Sequence, residues 1–287
     1  MRNYLSIVFF LSLIANTFAQ NGVPGACGKH SGISPMNGNG SLGQTYTNSA
    51  CGLNYVYDSA RVETRFDQYT TMGYYGCGLP CQWAITGIPS CYVLEKAYVW
   101  ALVSYTSGTA PNATLNITNP LGGNNSYTNL PIGTDGPKCW GETGTAVYRW
   151  DVSTNITGNG NYSFNFTGFA NVTYEMDGAS LYIIYRDGGA TYQGSLEIWD
   201  GAVTDGQSGA YVSQTMTGLN VCAVPSLARA FAISSDHQDN IGPTHPTTLN
   251  GVITNFPNNF YCSDETTVTL TAGQTTSLFA QDGTGSD

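Results

Sequence analysis

Positive charge is what this sequence has least of. Lys and Arg number 9 against 19 Asp and Glu, for a formal charge of −10. A nucleic-acid binder needs a basic stripe that displaces counterions from phosphates, and 9 scattered cations do not make one. Charge of either sign is scarce, at 10% of residues. Helical bundles and coiled coils are rich in Glu, Lys, Ala and Leu, so both are excluded. Histidine is limited to His30, His237 and His245. Neither a phosphate-binding loop nor a dinucleotide-binding glycine fingerprint occurs, and there is no G-x-S-x-G elbow. Beyond the N-terminal segment no stretch approaches the roughly 20 apolar residues of a membrane-spanning helix. Aromatic residues, in contrast, make up 12% of the chain, which argues for a packed core rather than disorder.

The N-terminus carries an export signal. Arg2 supplies the positive start, residues 5–14 an apolar stretch, and Thr17-Phe18-Ala19 the small residues before a cut ahead of Gln20. That order predicts a cleaved secretory peptide over residues 1–19. The 8 cysteines agree with export: Cys27, Cys51, Cys77, Cys81, Cys91, Cys139, Cys222 and Cys262 all follow the signal. An even count in an exported chain reads as a set of disulfides, whose pairing the sequence leaves open. Zinc is the competing reading, with Cys77 and Cys81 as half a site. No second close pair completes it. In a chain of this size the staples serve resistance to unfolding and proteolysis more than folding itself.

The body of the chain reads as strands. Short runs rich in Val, Ile, Tyr, Phe and Thr alternate with Gly, Asn and Pro clusters. Residues 98–103 form a nearly continuous apolar run of the kind found in central strands. Residues 113–117, 162–166 and 266–271 alternate apolar with polar. Residues 179–185 and 194–199 are two more strands, and Asp187-Gly-Gly between them predicts a hairpin. No window shows a helical apolar period. These signals predict an all-β fold: a jelly-roll-like antiparallel β-sandwich, disulfide-stapled, spanning residues 51–287 as one domain. Residues 20–50, rich in Gly, Asn and Ser, read as an extended N-terminal arm tied down by Cys27 and Cys51.

Three stretches in order carry a family resemblance. The first is Gly87-Ile-Pro89 with the strand over 93–102. The second runs from Lys138-Cys-Trp-Gly141 through residues 148–152 to Gly158-Asn-Gly-Asn-Tyr162. The third joins residues 177–186 to Ser195-Leu-Glu-Ile-Trp-Asp-Gly201. The set, over residues 51–285, resembles the DUF3344-like domains of exported bacterial surface proteins of the Bacteroidetes type. The resemblance implies a jelly-roll-like sandwich, a secreted or cell-surface location, and no catalytic residues to carry over. Residues 195–201 alone also resemble the core strand of CUB sandwiches.

Candidate sites are few. Asp177, Asp187 and Asp200 stand at predicted turns, where Asp caps its own backbone. The functional alternative is a calcium site built by Asp177, Asp187, Asp200 and Asp205, with Asp236 and Asp239 as a second pair. Residues 234–240 contain Ser, His and Asp, but neighbours on a strand point to opposite faces, which disfavours a triad. A glycosidase would need two facing carboxylates, and Glu63, Glu95, Glu142, Glu175, Glu197 and Glu265 are spread along the chain. Tyr and Trp offer an apolar ring with a polar tip, suited to stacking on sugars or anchoring a protein partner. Trp100 and Trp199 read as core. Trp140, Tyr69, Tyr74 and Tyr75 fall in predicted loops and are the binding candidates. N-x-S/T sequons start at Asn112, Asn116, Asn124, Asn155, Asn161, Asn165 and Asn171. In a eukaryotic exported protein they would be glycan acceptors, whereas in a bacterium they reflect an Asn- and Thr-rich composition. The sequence therefore points to a non-enzymatic structural or adhesive role outside the cell. Extracellular glycans or surface proteins are the expected partners. The alternatives are a carbohydrate-binding module and a polysaccharide-active enzyme.

Overall fold

A computed structural model describes residues 4–10, 41–66, 72–74, 81–105, 109–110, 112–136, 144–167, 174–202, 210–217, 226–237, 247–250, 252–254 and 259–283. The strands in chain order begin with β1 (Tyr4–Phe10), β2 (Ser41–Cys51), β3 (Leu53–Phe66), β4 (Met72–Tyr74), β5 (Cys81–Ile85) and β6 (Tyr92–Tyr105). They continue with β7 (Ala113–Thr118), β8 (Asn124–Asn129), β9 (Gly133–Asp135), β10 (Gly144–Asp151), β11 (Gly160–Thr167), β12 (Tyr174–Asp187) and β13 (Gln193–Ala202). The last are β14 (Ala210–Thr217), β15 (Ser226–His237), β16 (Thr247–Leu249), β17 (Val252–Thr254), β18 (Asn259–Leu270) and β19 (Thr276–Gly283). One 3-10 turn, Ser153–Asn155, interrupts them. The fold class is thus all-β, as the alternating apolar pattern predicts. No helix among the described residues is long and apolar enough to cross a membrane.

The chain divides into two compact units. One contains residues 52–137 and 142–190; the other contains residues 1–51, 138–141 and 191–287. The first unit holds a six-stranded sheet, β4-β3-β12-β6-β10-β9, and a four-stranded sheet, β5-β11-β7-β8. All their pairings are antiparallel. Alternation decides what each strand buries. In β7, Ala113, Leu115 and Ile117 are buried while Thr114, Asn116 and Thr118 are not. In β11, Tyr162, Phe164 and Phe166 are buried. These side chains share a single core with Val99, Ala101, Tyr148, Trp150, Leu181 and Ile183 of the larger sheet.

Two indoles tie the sheets of this unit together. Trp83 of β5 stacks on Phe164 with ring centroids 3.6 Å apart, and its Nε1–H donates to the carbonyl of Ala179 in β12 at 2.9 Å. Trp150 of β10 donates in the opposite direction, to the carbonyl of Ala113 in β7 at 3.3 Å. A buried indole without an acceptor would carry an unpaid desolvation penalty, so each tryptophan both fills the core and fixes the register of the facing sheet.

The second unit also holds two sheets. One has the order β18-β15-β1-β13-β2 and the other β14-β19-β16-β17. Strand β1 is the exception to the antiparallel pattern, because it pairs in parallel with both β13 and β15. It lies within the segment expected to be removed on export.

Three expectations need correction. Strands β12 and β13 do not form a hairpin: β12 pairs with β3 and β6, and β13 with β2 and β1. The Asp187 turn exists, but β2 and β3, joined through Gly52, supply long-range partners for both strands. Gly52 is required there, since its φ is +70° and a Cβ would stand 2.2 Å from the Asp187 carbonyl oxygen. Second, residues 41–50 of the expected arm belong to strand β2 (Ser41–Cys51), an 11-residue partner of β13. Third, Cys51 and Cys91 are exposed thiols rather than disulfides. Each stands at a strand end or turn whose backbone is already held by ladder or turn hydrogen bonds. Cys81 is buried in β5 and Cys262 lies in β18. Cys27, Cys77, Cys139 and Cys222 lie outside the described residues.

Two outcomes follow from this packing. Trp83→Ala removes the stacked ring and orphans the Ala179 carbonyl, and is expected to cost about 3–5 kcal/mol, read from the shift in the urea unfolding midpoint. Alkylation of the denatured, unreduced chain is expected to label Cys51 and Cys91. Recovery of either in a disulfide-linked peptide would contradict the structure.

Candidate functional site

The four-stranded sheet of the first unit has its inner face in the core, so alternation sends every other residue of β5, β11, β7 and β8 outward. The pairing registers align those outward residues in rows. One row is Gln82, Ser163, Thr118 and Asn124; the next is Asn165, Asn116 and Ser126; the third is Thr167, Thr114 and Thr128. No residue in these rows carries a charge. Neighbouring strands stand ~4.8 Å apart and rows ~7 Å apart along the strand, so the face is a regular grid of amides and hydroxyls.

The grid is internally bonded. Asn116 donates from Nδ2 to Asn165 Oδ1 at 2.9 Å and accepts from Ser126 Oγ at 2.6 Å. The Thr114 and Thr128 hydroxyls pair at 2.7 Å, and Thr118 pairs with Asn124. Such cross-strand polar pairs stabilise a sheet by a few tenths of a kcal/mol to about 1 kcal/mol each. They also hold each group in a fixed orientation. The result is a neutral surface with preset donors and acceptors that pays little entropy on contact.

One end of this sheet is built by Asn155. It is buried, donates to the Ile117 carbonyl at 3.4 Å, and accepts from Asn125 Nδ2 at 2.6 Å and Asn119 Nδ2 at 3.4 Å. Asn119 in turn accepts from the backbone N–H groups of Leu121 and Gly123, closing the turn between β7 and β8. The sequon at Asn155 therefore has a structural role. Those at Asn116, Asn124, Asn161 and Asn165 fall on the outward face. An N-x-S/T triplet in a strand places both polar residues on one side, so the sequons were the sequence signal for this surface.

The sites expected from the sequence are dispersed. Asp177 and Asp187 are ten residues apart along β12, roughly 30 Å at the rise of a strand, so one calcium ion cannot take both as ligands. Asp187 has the turn role: its Oδ1 accepts from the N–H of Gly189 at 2.9 Å and from the Cys91 thiol at 3.8 Å. Asp200 is buried at the rung of Gly43 in β2, in the other unit, and Asp205 lies outside the described residues. Asp236 is in β15, and Asp239 also lies outside the described residues. No group of three or more metal-ligating side chains is gathered among the described residues. Of the aromatic candidates, Tyr74 lies in β4, while Tyr69, Tyr75 and Trp140 lie outside the described residues. Trp83, Trp100 and Trp150 are fully buried and Trp199 partly so. Residues 234–237 are consecutive in β15.

Among the carboxylates, Glu95 pairs with Arg186, and Glu265 with Arg229 at 3.6 Å. Glu197 of β13 differs. It is 6% exposed and accepts from Trp199 Nε1 at 3.1 Å. Burial raises its pKa above the ordinary 4.5, and the hydrogen bonds from Trp199 and Gln44 only partly oppose that rise. The native state then holds the Glu197 proton to higher pH than the unfolded chain does. Stability is greatest below about pH 4.5 for this group and falls as pH rises toward the raised native value. Glu197→Gln is expected to increase the melting temperature at pH 7 and leave it unchanged at pH 4, as measured by calorimetry. An equal gain at both would show that Glu197 is not a buried acid.

Compared with known proteins, the chain matches no family model, no curated protein and no solved structure.

Proposed function

We propose that the chain is an exported β-sandwich of jelly-roll-like form with a non-enzymatic structural or adhesive role. The uncharged, hydrogen-bonded face of β5, β7, β8 and β11 carries this reading. A surface without formal charge avoids the desolvation cost that ions incur at a contact, and its fixed amides and hydroxyls suit neutral polymers such as glycans. The export signal over residues 1–19 supports an extracellular location. So does the even cysteine count, since disulfides persist in oxidising compartments. The resemblance to DUF3344-like domains of bacterial surface proteins points the same way.

The test is adhesion of beads coated with the exported chain to cellulose, mannan and dextran surfaces. Attachment to at least one surface is expected, falling about tenfold for the Asn116→Asp and Asn165→Asp double variant, because each substitution puts a charge into the neutral grid. Circular dichroism on the same variant confirms that the sheets persist. Unchanged attachment would remove this face from the contact. Release of sugars from any of the polymers would favour the enzymatic alternative.

A further inference from the structure

The sheet β5-β11-β7-β8 ends in two edge strands, and the two are treated differently. At β5 the Ala84 N–H donates to Asp58 Oδ2 of β3 at 2.6 Å, so a carboxylate caps that edge. The larger sheet of the same unit ends in β4 and β9, of 3 residues each. Shortness, charge, proline and bulges are the usual guards of a sheet edge. Strand β8, Asn-Asn-Ser-Tyr-Thr-Asn, has 6 residues, no charge, no proline and an unbroken register with β7. Asn124, Asn125, Ser126 and Thr128 are exposed.

Backbone alternation decides which groups this edge offers. The Asn119 N–H donates to the Gly123 carbonyl at 2.9 Å, which makes residues 119 and 123 a hydrogen-bonded rung. Such rungs alternate along an antiparallel pair. Asn125, Tyr127 and Asn129 therefore bond to β7, and the N–H and C=O groups of Asn124, Ser126 and Thr128 point away from it. A second β8, antiparallel and with Ser126 opposite Ser126, meets all of these groups. Asn124 then faces the second copy's Thr128, and Thr128 faces the second copy's Asn124. The twofold axis stands perpendicular to the sheet, so the polar face stays outward in both copies.

Two leucines say what occupies the edge. Leu121, in the turn before β8, is 82% exposed, and Leu130, just after β8, is 67% exposed. They stand at opposite ends of one strand. An antiparallel twin brings the turn with its Leu121 to Leu130, and the twofold axis repeats the contact at the other end. An unrelated strand has no reason to match that spacing, whereas the chain's own β8 matches it by symmetry. The absence of charge on β8 also lets two copies of an acidic chain approach there without direct repulsion.

We infer that two copies of this chain pair through β8 as a symmetric antiparallel dimer, joining their four-stranded sheets edge to edge. Assembly stops at two, because the far edge of each sheet is capped at Asp58. The rows of amides and hydroxyls continue from one copy into the next. The inference needs neither export nor glycan binding.

The test is sedimentation of the full chain over a concentration series. One short edge and four leucines make a small interface, so a dimer populated by about 100 µM is expected, dissociating on dilution. Ser126→Lys sets two ammonium groups face to face on the axis, and Ser126→Glu two carboxylates; each variant is expected to stay monomeric over the same range. An equimolar mixture of the two is expected to restore the dimer. Leu130→Ser is expected to weaken the wild-type dimer about tenfold. Circular dichroism checks that each variant keeps its sheets. A wild-type chain monomeric throughout the series would overturn the inference. So would a dimer indifferent to Ser126→Lys or to Leu130→Ser, or a mixture of the charged variants that stays monomeric.

Discussion

The first unit depends on one constraint: two sheets must meet through a core that is filled by alternate residues only. Each inward residue of the four-stranded sheet fixes the fate of its outward neighbour. Trp83 and Trp150 make the constraint strict, because each indole N–H finds its acceptor on the backbone of the opposite sheet. A register slip of one residue would break both hydrogen bonds and turn the core face outward. The regular outer grid is therefore a consequence of the packing beneath it.

Much of this was legible in the residues. The strands over 98–103, 113–117, 162–166 and 179–185 lie where alternation and apolar runs place them. Trp100 is buried and Asp187 caps a turn, as local chemistry required. The features that escaped depend on distant partners. Asp187-Gly-Gly is a sound turn signal, but a turn does not say which strands pair beyond it. The pairing was decided by β2 and β3, more than a hundred residues earlier in the chain. The division into two units is likewise a matter of long-range contacts. Asp177 and Asp187 looked clustered in sequence, yet an extended strand spreads ten residues over a length that a compact loop would not. The polar face was present in the sequence as overlapping sequons, but its meaning appeared only once β7, β8 and β11 were aligned.

Low charge acquires a specific sense in this arrangement. Among the described residues of the first unit, Lys96 pairs with Asp151 at 2.7 Å and Arg186 pairs with Glu95, both on its six-stranded sheet. The rows of the four-stranded sheet carry none. Asp151 shows how an exposed carboxylate is kept ionised there. Partial burial works upward on its pKa, but hydrogen bonds from Lys96 and Ser153 outweigh it and hold the value below the usual range. Segregating charge to one sheet leaves the other neutral, a division that solubility alone does not require.

Side-chain footprinting of the chain, free and bound to a polysaccharide surface, reads out whether the neutral face makes the contact. Protection is expected to concentrate on Asn116, Ser126, Thr128 and Asn165, with Lys96 and Arg186 unchanged. Protection at Trp140, Tyr69 or Tyr75 with the rows of β7, β8 and β11 unaffected would contradict it.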